Sequence, residues 1–180
     1  MIDVPLCDTQ AERTKRKPLL QYIFSKCDQV VFLYQSDENI KSMKKEFPKW
    51  VTPDYEESAK EDFDSIRPFL LLCQKNGGKA QTVHKYFNNM SFSYPMSVMT
   101  VDLNPEIKKE LSKYDLLDWN APNLPQDPCF MKNGKPRFIT STHDEYHFNL
   151  IIENQEKSDL DTLKSLNFNY MRISEGKNKR

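Results

Sequence analysis

The second half of the chain holds two histidines whose spacing could bind a metal. His143 and His147 stand four residues apart, as the two zinc ligands do in the motif His-Glu-x-x-His, and Asp144 takes the place of the catalytic glutamate. In that motif a helix brings both rings to one metal ion. Because we predict a hairpin in this segment, where such side chains do not converge, we interpret both histidines as structural and predict no metal site.

The thiol of Cys129 could also do chemistry, as a nucleophile with one of the histidines as its base. The four cysteines are widely spaced and include no Cys-x-x-Cys pair, which argues against a zinc ribbon and against a disulfide framework: Cys7, Cys27, Cys73 and Cys129. We expect reduced thiols, with Cys129 packed as a small apolar group. A small cytosolic enzyme that uses Cys129 or the pair His143 and His147 is the alternative interpretation of the chain.

Glycine usage argues against a bound nucleotide. The chain has only four glycines, and Gly77-Gly78 lacks both the further glycines and the Gly-Lys-Ser/Thr ending of a phosphate-binding loop. We therefore predict no cofactor and assign no catalytic residue.

An acidic stripe is the clearest charged feature of the sequence. Thr52-Pro53 is a typical helix start, and the helix that follows places four carboxylates on one face at spacings of three and four residues: Asp54, Glu57, Glu61 and Asp64. Like charges at these spacings destabilise a helix by about 0.2–0.5 kcal/mol per pair, and we find no Lys or Arg in the stripe to offset them. The stripe is either a solvated helix face, with Asp54 and Glu57 favoured by the helix dipole, or a docking surface for a basic partner.

The elements that position these groups follow from hydrophobic periodicity and from turn residues. Residues 124–152 predict a three-stranded antiparallel meander, in which Asn133-Gly134 forms the first turn and residues 143–145 the second. The alternation of apolar residues over 146–152 indicates a strand with one buried face. Further strands are predicted at 29–34, 94–103 and 169–173, and helices at 18–27, 37–47, 53–66, 68–75, 80–90, 105–113 and 159–166, the last capped by Ser158. For residues 68–75 a strand is the alternative.

These elements predict an α+β fold with a mixed sheet of about five or six strands, a C-terminal antiparallel meander and flanking helices. With 180 residues, 38% of them apolar, the chain can close one core, so we expect a single domain over residues 1–180. Within it, residues 1–92 are rich in helix, the meander is the centre of 93–175, and the tail 176–180 is frayed.

The overall charge limits the partners. Lys plus Arg and Asp plus Glu balance at 26 each, so no net field draws the molecule to a nucleic acid or to an anionic membrane. The N-terminus lacks the apolar run of a signal peptide, and no stretch approaches 18 consecutive apolar residues. We expect a cytoplasmic protein without direct contact to nucleic acid or membrane.

Three short runs resemble a segment of small bacterial immunity proteins of polymorphic and contact-dependent toxin systems. They are Pro125-Gln126-Asp127-Pro128-Cys129-Phe130, then Asn133-Gly134-Lys135, then Ser141-Thr142-His143-Asp144-Glu145. The resemblance covers about thirty residues, and the chain departs from the pattern by Gln126 in place of Glu and by the insertion of Asp144. It implies a non-enzymatic immunity protein, an antitoxin that binds a cognate toxin domain, a basic nuclease, and occludes its active site.

The acidic stripe and the meander loops together form the predicted partner-binding surface, because an inhibitor of a basic cleft needs complementary charge. Its candidate residues are Asp54, Glu57, Glu61, Asp64, Trp119, Asp127, His143, Asp144, Glu145 and His147.

Overall fold

A computed structural model describes residues 1–6, 10–87, 91–115, 122–141, 148–168 and 172–173. Within these ranges the chain forms helices α1 (Gln10–Lys26), α2 (Asp37–Glu46), α3 (Pro53–Lys75), α4 (Pro105–Leu111) and α5 (Lys157–Ser165). The strands are β1 (Ile2–Leu6), β2 (Gln29–Tyr34), β3 (Lys79–Lys85), β4 (Ser91–Asp102), β5 (Gln126–Lys132), β6 (Lys135–Ser141), β7 (Phe148–Ile152) and the two-residue β8 (Arg172–Ile173). The predicted α+β class is confirmed.

The strands form one sheet in the order β3-β4-β2-β5-β6-β7-β1-β8, and every described neighbouring pair is antiparallel. The sheet is thus antiparallel where we predicted a mixed one, and it has more strands than the five or six expected. The reason lies in the helical connections. For example, α4 joins β4 to β5, which run parallel to each other but lie on either side of β2. Crossovers between parallel strands are present, but one or more other strands lie between the two strands that each crossover connects.

One face of the sheet carries the main core. Val30, Phe32 and Tyr34 alternate along β2 toward this face, where they meet buried residues of α1, α3, α4 and α5. Phe32 contacts Phe69 of α3 edge to face, with ring centroids 5.2 Å apart. Burial of such large apolar side chains supplies most of the free energy of folding.

The opposite face carries a smaller core. Val31 and Leu33 of β2 point there together with buried residues of the neighbouring strands, among them Cys129 and Ile139. Tyr86 lies over this cluster, and its hydroxyl donates to the carbonyl oxygens of Val31 (3.0 Å) and Asp127 (2.8 Å). The two clusters give β2 a buried side chain on both faces, so it behaves as a central strand.

The first turn of the predicted meander is confirmed. Asn133 and Gly134 adopt positive φ angles of 51° and 72° between β5 and β6, as a tight hairpin requires. Strand β6 then pairs with β7, from Phe138 opposite Ile152 to Ser141 opposite Asn149. The second predicted turn, at 143–145, lies outside the described residues, as do the tail 176–180 and part of the predicted strand 169–173.

The helix predicted over residues 80–90 is wrong for residues 80–85, which form a strand, and residues 88–90 lie outside the described ranges. Gly77 takes a positive φ of 80°, the amide of Gly78 donates to the carbonyl of Cys73, and the chain returns along the sheet as β3. Ala80 then pairs with Met99, and Val83 with Met96. Backbone pairing with β4 outweighs a helical spacing of apolar residues that had no helix-capping residue to support it.

Two prolines lie inside helices, where we expected helix starts. Pro68 is internal to α3, which runs without a break through the two helices predicted at 53–66 and 68–75, and Pro18 is internal to α1. A proline in a helix interior loses one hydrogen bond, but the buried residues on both sides of Pro68, Ile66 and Phe69 among them, hold α3 against the sheet. In α5, Glu156 occupies the capping position in place of Ser158. Strand β1 was not predicted at all.

Candidate partner-binding surface

The N-terminal half of α3 has one packed side and one solvent side. Thr52 Oγ1 accepts the amide of Tyr55 at 3.2 Å and Pro53 takes the first helical position, so the predicted helix start is confirmed. Ala59 packs in a small cluster with Ile40 and other apolar residues of α2. The stripe residues Asp54, Glu57, Glu61 and Asp64 are all exposed on the other side.

One member of the stripe has an ion pair that the sequence reasoning missed. Asp64 Oδ1 lies 3.4 Å from an Nη atom of Arg67, one helical turn onward, and both side chains are at least half exposed. Such an exposed pair contributes little to stability. Within the described residues, Asp54, Glu57 and Glu61 have no basic group within 4.0 Å. Three of the four stripe carboxylates therefore have no ion-pair partner in the part of the chain that the structure describes.

The acidic character extends beyond the stripe. Between Pro53 and Arg67 the sequence has six acidic residues against two basic ones, although the whole chain is neutral. One of the six, Glu56, is paired with Lys44 of α2. The segment 53–67 therefore has a net negative charge, which produces a local electrostatic field at the exposed side of this helix.

Trp50, which the sequence analysis did not select, lies at the start of this surface. Its side chain is 57% exposed, and its ring stacks on Phe47 at a centroid distance of 4.8 Å. It precedes α3 by three residues, and Lys49 and the lysines at the end of α2 adjoin it, so this end of the surface has mixed charge. Exposed tryptophans are unusual on a monomer and frequent at the energetic centres of protein interfaces. The signal in the sequence was a tryptophan in a short loop between two well-capped helices.

Asp127 does not belong to this surface. The residue is only 2% exposed, adopts a positive φ of 47°, and accepts at its carbonyl from the hydroxyl of Tyr86. It lies where the pairing of β2 with β5 shifts register, between Val31 and Leu33. Aspartate tolerates this backbone conformation better than most residues, so its role in the described structure is to shape the start of β5.

The remaining predicted contact residues are Trp119, His143, Asp144, Glu145 and His147, and all of them lie outside the described residues. Their part in partner binding stays a prediction from the sequence. In the described chain no group of three or more His, Cys, Asp or Glu side chains is arranged to hold a metal ion.

The described thiols are poor candidates for a nucleophile. Cys27, Cys73 and Cys129 are free and buried, and Cys129 has no exposed surface. Burial raises the pKa of Cys27 to about 12 and that of Cys73 to about 12, and it also raises the pKa of Cys129. Because the thiolate is the reactive form, these groups are inert at neutral pH.

Neither a membrane-spanning helix in the described part of the chain nor a similar known protein helps to assign this surface. No helix in the described ranges combines the length and the apolar character needed to cross a membrane. Comparisons of the chain with protein-family models, with curated proteins and with solved structures found no match.

Proposed function

We propose that the chain is a cytosolic immunity protein, which binds a cognate toxin domain with a basic nuclease cleft and occludes its active site. One observation carries the proposal: Asp54, Glu57 and Glu61 form an exposed row on α3 without a basic partner among the described residues. The short resemblance around Cys129 and Asn133-Gly134 supports the immunity class.

The row suits such a partner because a nuclease cleft is built to hold phosphates. Carboxylates spaced along a helix can take the positions of successive phosphates, and from Asp54 to Glu61 they span about 10 Å at 1.5 Å per residue. The attraction also raises the rate of association, since the acidic field guides the basic partner toward this helix. A chain of zero net charge gains this effect only by concentrating acidic residues on one face.

Trp50 provides the apolar contact that charge alone does not. Stacking on Phe47 restricts its ring before binding, so little side-chain entropy is lost when a partner covers it. Rigid aromatic anchors with charged neighbours are typical of tight interfaces.

The alternative, a small enzyme that uses Cys129, conflicts with the burial of that side chain. A nucleophile must reach its substrate as a thiolate, and Cys129 is fully buried with a raised pKa. We expect a Cys129→Ala variant to retain whatever biological activity the parent shows, with a modest loss of stability from the smaller side chain. A folded but inactive Cys129→Ala variant would favour the enzyme.

The proposal is tested with the product of the gene next to this one as the candidate toxin. We expect co-expression of the chain to protect cells from that protein, and the two purified proteins to form a complex. The Glu57→Lys/Glu61→Lys variant should lose protection. The matched control is Glu106→Lys/Asp161→Lys, which changes the net charge equally at exposed positions of α4 and α5 and should protect fully. Equal protection by both variants would contradict the role of α3.

A further inference from the structure

A cleft opens beside the acidic row, between the N-terminal half of α3 and the ends of β2, β4 and β5. Its volume is about 290 Å³. The described lining residues include four aromatic ones, Tyr34, Tyr55, Phe63 and Tyr94, and one carboxylate, Asp62, and none of them is Lys, Arg or His. Among the described lining residues, the only charged group is therefore the carboxylate of Asp62.

The aromatic rings are held in place from behind. Tyr34 stacks on Phe63, with ring planes 6° apart and centroids separated by 6.2 Å. The hydroxyl of Tyr55 donates to Gln35 Oε1 at 2.9 Å. Burial, and then the neighbouring Tyr55, raises the pKa of Tyr94, so this phenol is neutral at physiological pH. The rings of Tyr34, Phe63 and Tyr55 are thus held in place by these contacts.

The carboxylate of Asp62, at the rim of the cleft, can bind a cation. Asp62 is exposed, and within the described residues no basic group lies within 4.0 Å of it. The hydroxyl of Ser65 donates to the backbone carbonyl oxygen of Asp62 and not to its carboxylate. A carboxylate next to aromatic faces is the combination that recognises organic cations.

One of the lining rings, that of Phe63, already has a cation over it, although that cation is not itself a lining residue. The guanidinium carbon of Arg67 lies 5.6 Å from the centroid of the Phe63 ring. No described cation lies over Tyr55 or Tyr94. Arg67 therefore contacts Phe63 and not the rings of Tyr55 or Tyr94.

The size of the cleft selects the kind of ligand. Pockets for small molecules and cofactors range from about 300 to 1,000 Å³, so this one, at the lower limit, suits a single side chain. A phosphate group is disfavoured by Asp62 and by the lack of a basic side chain among the described lining residues. A planar guanidinium can stack on a ring and pair with a carboxylate at the same time.

We propose that this cleft receives the guanidinium group of one arginine side chain of the basic partner, with Tyr55 and Tyr94 as the stacking faces and Asp62 as the counter-ion. This inference rests on the proposed function, because it assumes a basic protein partner. The arginine site would add a specific contact to the acidic row, which otherwise attracts the partner only through its electrostatic field. It also gives a role in binding to Tyr55 and Asp62, which line the cleft from α3.

The inference can be tested on the isolated protein. We would titrate it with N-acetyl-arginine amide and with N-acetyl-citrulline amide, which has the same shape without the charge, and follow NMR signals of isotope-labelled tyrosines. Saturable shifts at Tyr55 and Tyr94 are expected for arginine only. Equal shifts for both compounds, or no saturable shift with arginine up to its solubility limit, would overturn the inference.

Variants locate the binding. Asp62→Asn and Tyr94→Leu should each weaken arginine binding about tenfold, the size of a partly desolvated cation–π or ion-pair contact. Tyr94→Phe keeps the ring face and should bind as the parent does, and Asp161→Asn on α5 is the control for loss of an exposed charge. Circular dichroism and thermal melting verify that each variant folds. Unchanged binding by both Asp62→Asn and Tyr94→Leu would place the arginine elsewhere and overturn the inference.

Partner binding separates this inference from the proposed function. If Glu57→Lys/Glu61→Lys weakens the toxin complex while Tyr94→Leu and Asp62→Asn leave it unchanged, the function is supported and the cleft is overturned as an anchor. If the cleft binds arginine selectively and the protein binds no toxin, the function fails and the guanidinium preference is supported. Loss of toxin binding in all three variants supports both.

Discussion

Charged side chains are buried and paired in one region of the molecule and exposed without a described ion-pair partner in another. Between β6 and α5, Arg137 is 4% exposed and Asp159 has no exposed surface, and the two form an ion pair. Arg137 also donates to the carbonyl oxygen of Glu153, while Asp159 accepts from the hydroxyl of Tyr22 and from the amide of Glu156. On α3, by contrast, the row Asp54, Glu57 and Glu61 is exposed and uncompensated among the described residues.

The difference follows from the cost of desolvation. A buried charge is tolerated only when its partner and its hydrogen bonds are complete, so the pair Arg137 and Asp159 serves the fold. An exposed carboxylate is solvated by water and has no such need. Its charge remains available to a partner, which is why the exposed row is the better candidate for function.

Breaking the buried pair should have the largest effect. Arg137→Ala leaves Asp159 buried without its counter-ion and should reduce the free energy of unfolding by about 3–5 kcal/mol. Urea denaturation measures the change. The double variant Arg137→Met/Asp159→Leu removes both charges and should recover most of the loss; a single variant as stable as the parent would show that the pair does not serve the fold.

Removing the exposed anchor should act on binding and not on folding. We expect Trp50→Ala to weaken the toxin complex by about 2 kcal/mol or more, as at an interface hot spot, and to change stability little because the ring is mostly exposed. Calorimetry and thermal melting measure the two quantities. Leu71→Ala is the matched control, since Leu71 is 58% exposed in the C-terminal half of α3, and it should bind normally. A large loss of stability with unchanged affinity would show that Trp50 is structural.

Reversing the exposed row should separate the two regions most sharply. In Glu57→Lys/Glu61→Lys, stability should stay constant or rise by about 0.5 kcal/mol. Each new ammonium group lies three residues from a carboxylate, Asp54 or Asp64, and so replaces a like-charge contact by an attractive one, while positions 57 and 61 still repel each other. Association with the toxin should slow, and its rate should depend less on salt, because the steering field is reduced. Stopped-flow measurements at several ionic strengths test this. An unchanged salt dependence would identify the row as a solvated helix face only.

The smallest effect concerns pH. Lys26 lies 2.9 Å from Glu156 at the rim of the buried pair and, by hydrogen bonding, holds the pKa of that carboxyl below its usual value of 4.5. A group with a lowered pKa in the folded state stabilises the fold above the unfolded pKa, and this contribution is lost as pH falls through the folded value. We therefore expect stability to decline slightly below about pH 4.5, and Glu156→Gln to lack that part of the decline. A Glu156→Gln variant with the same acid profile would exclude this contribution.

Local chemistry determined several elements from the sequence alone. Asn133-Gly134 forms the expected turn, and Ser36, Thr52 and Asn104 cap their helices through side-chain oxygens. These features depend on groups within about four residues of one another, so no distant part of the chain is needed to form them. The exposure of the acidic row follows in the same way, because its period is that of the helix that carries it.

Tertiary structure alone decided the rest. Residues 79–85 form a strand because β4 offers backbone partners. Strand β1 pairs with β7 and β8, which lie at the opposite end of the sequence. The burial of Asp127 and the cleft beside Asp62 likewise depend on elements that meet only in the folded sheet. A sequence pattern records which side chains share a face, but the neighbours of that face are set by strand order, and strand order depends on the packing of the whole chain.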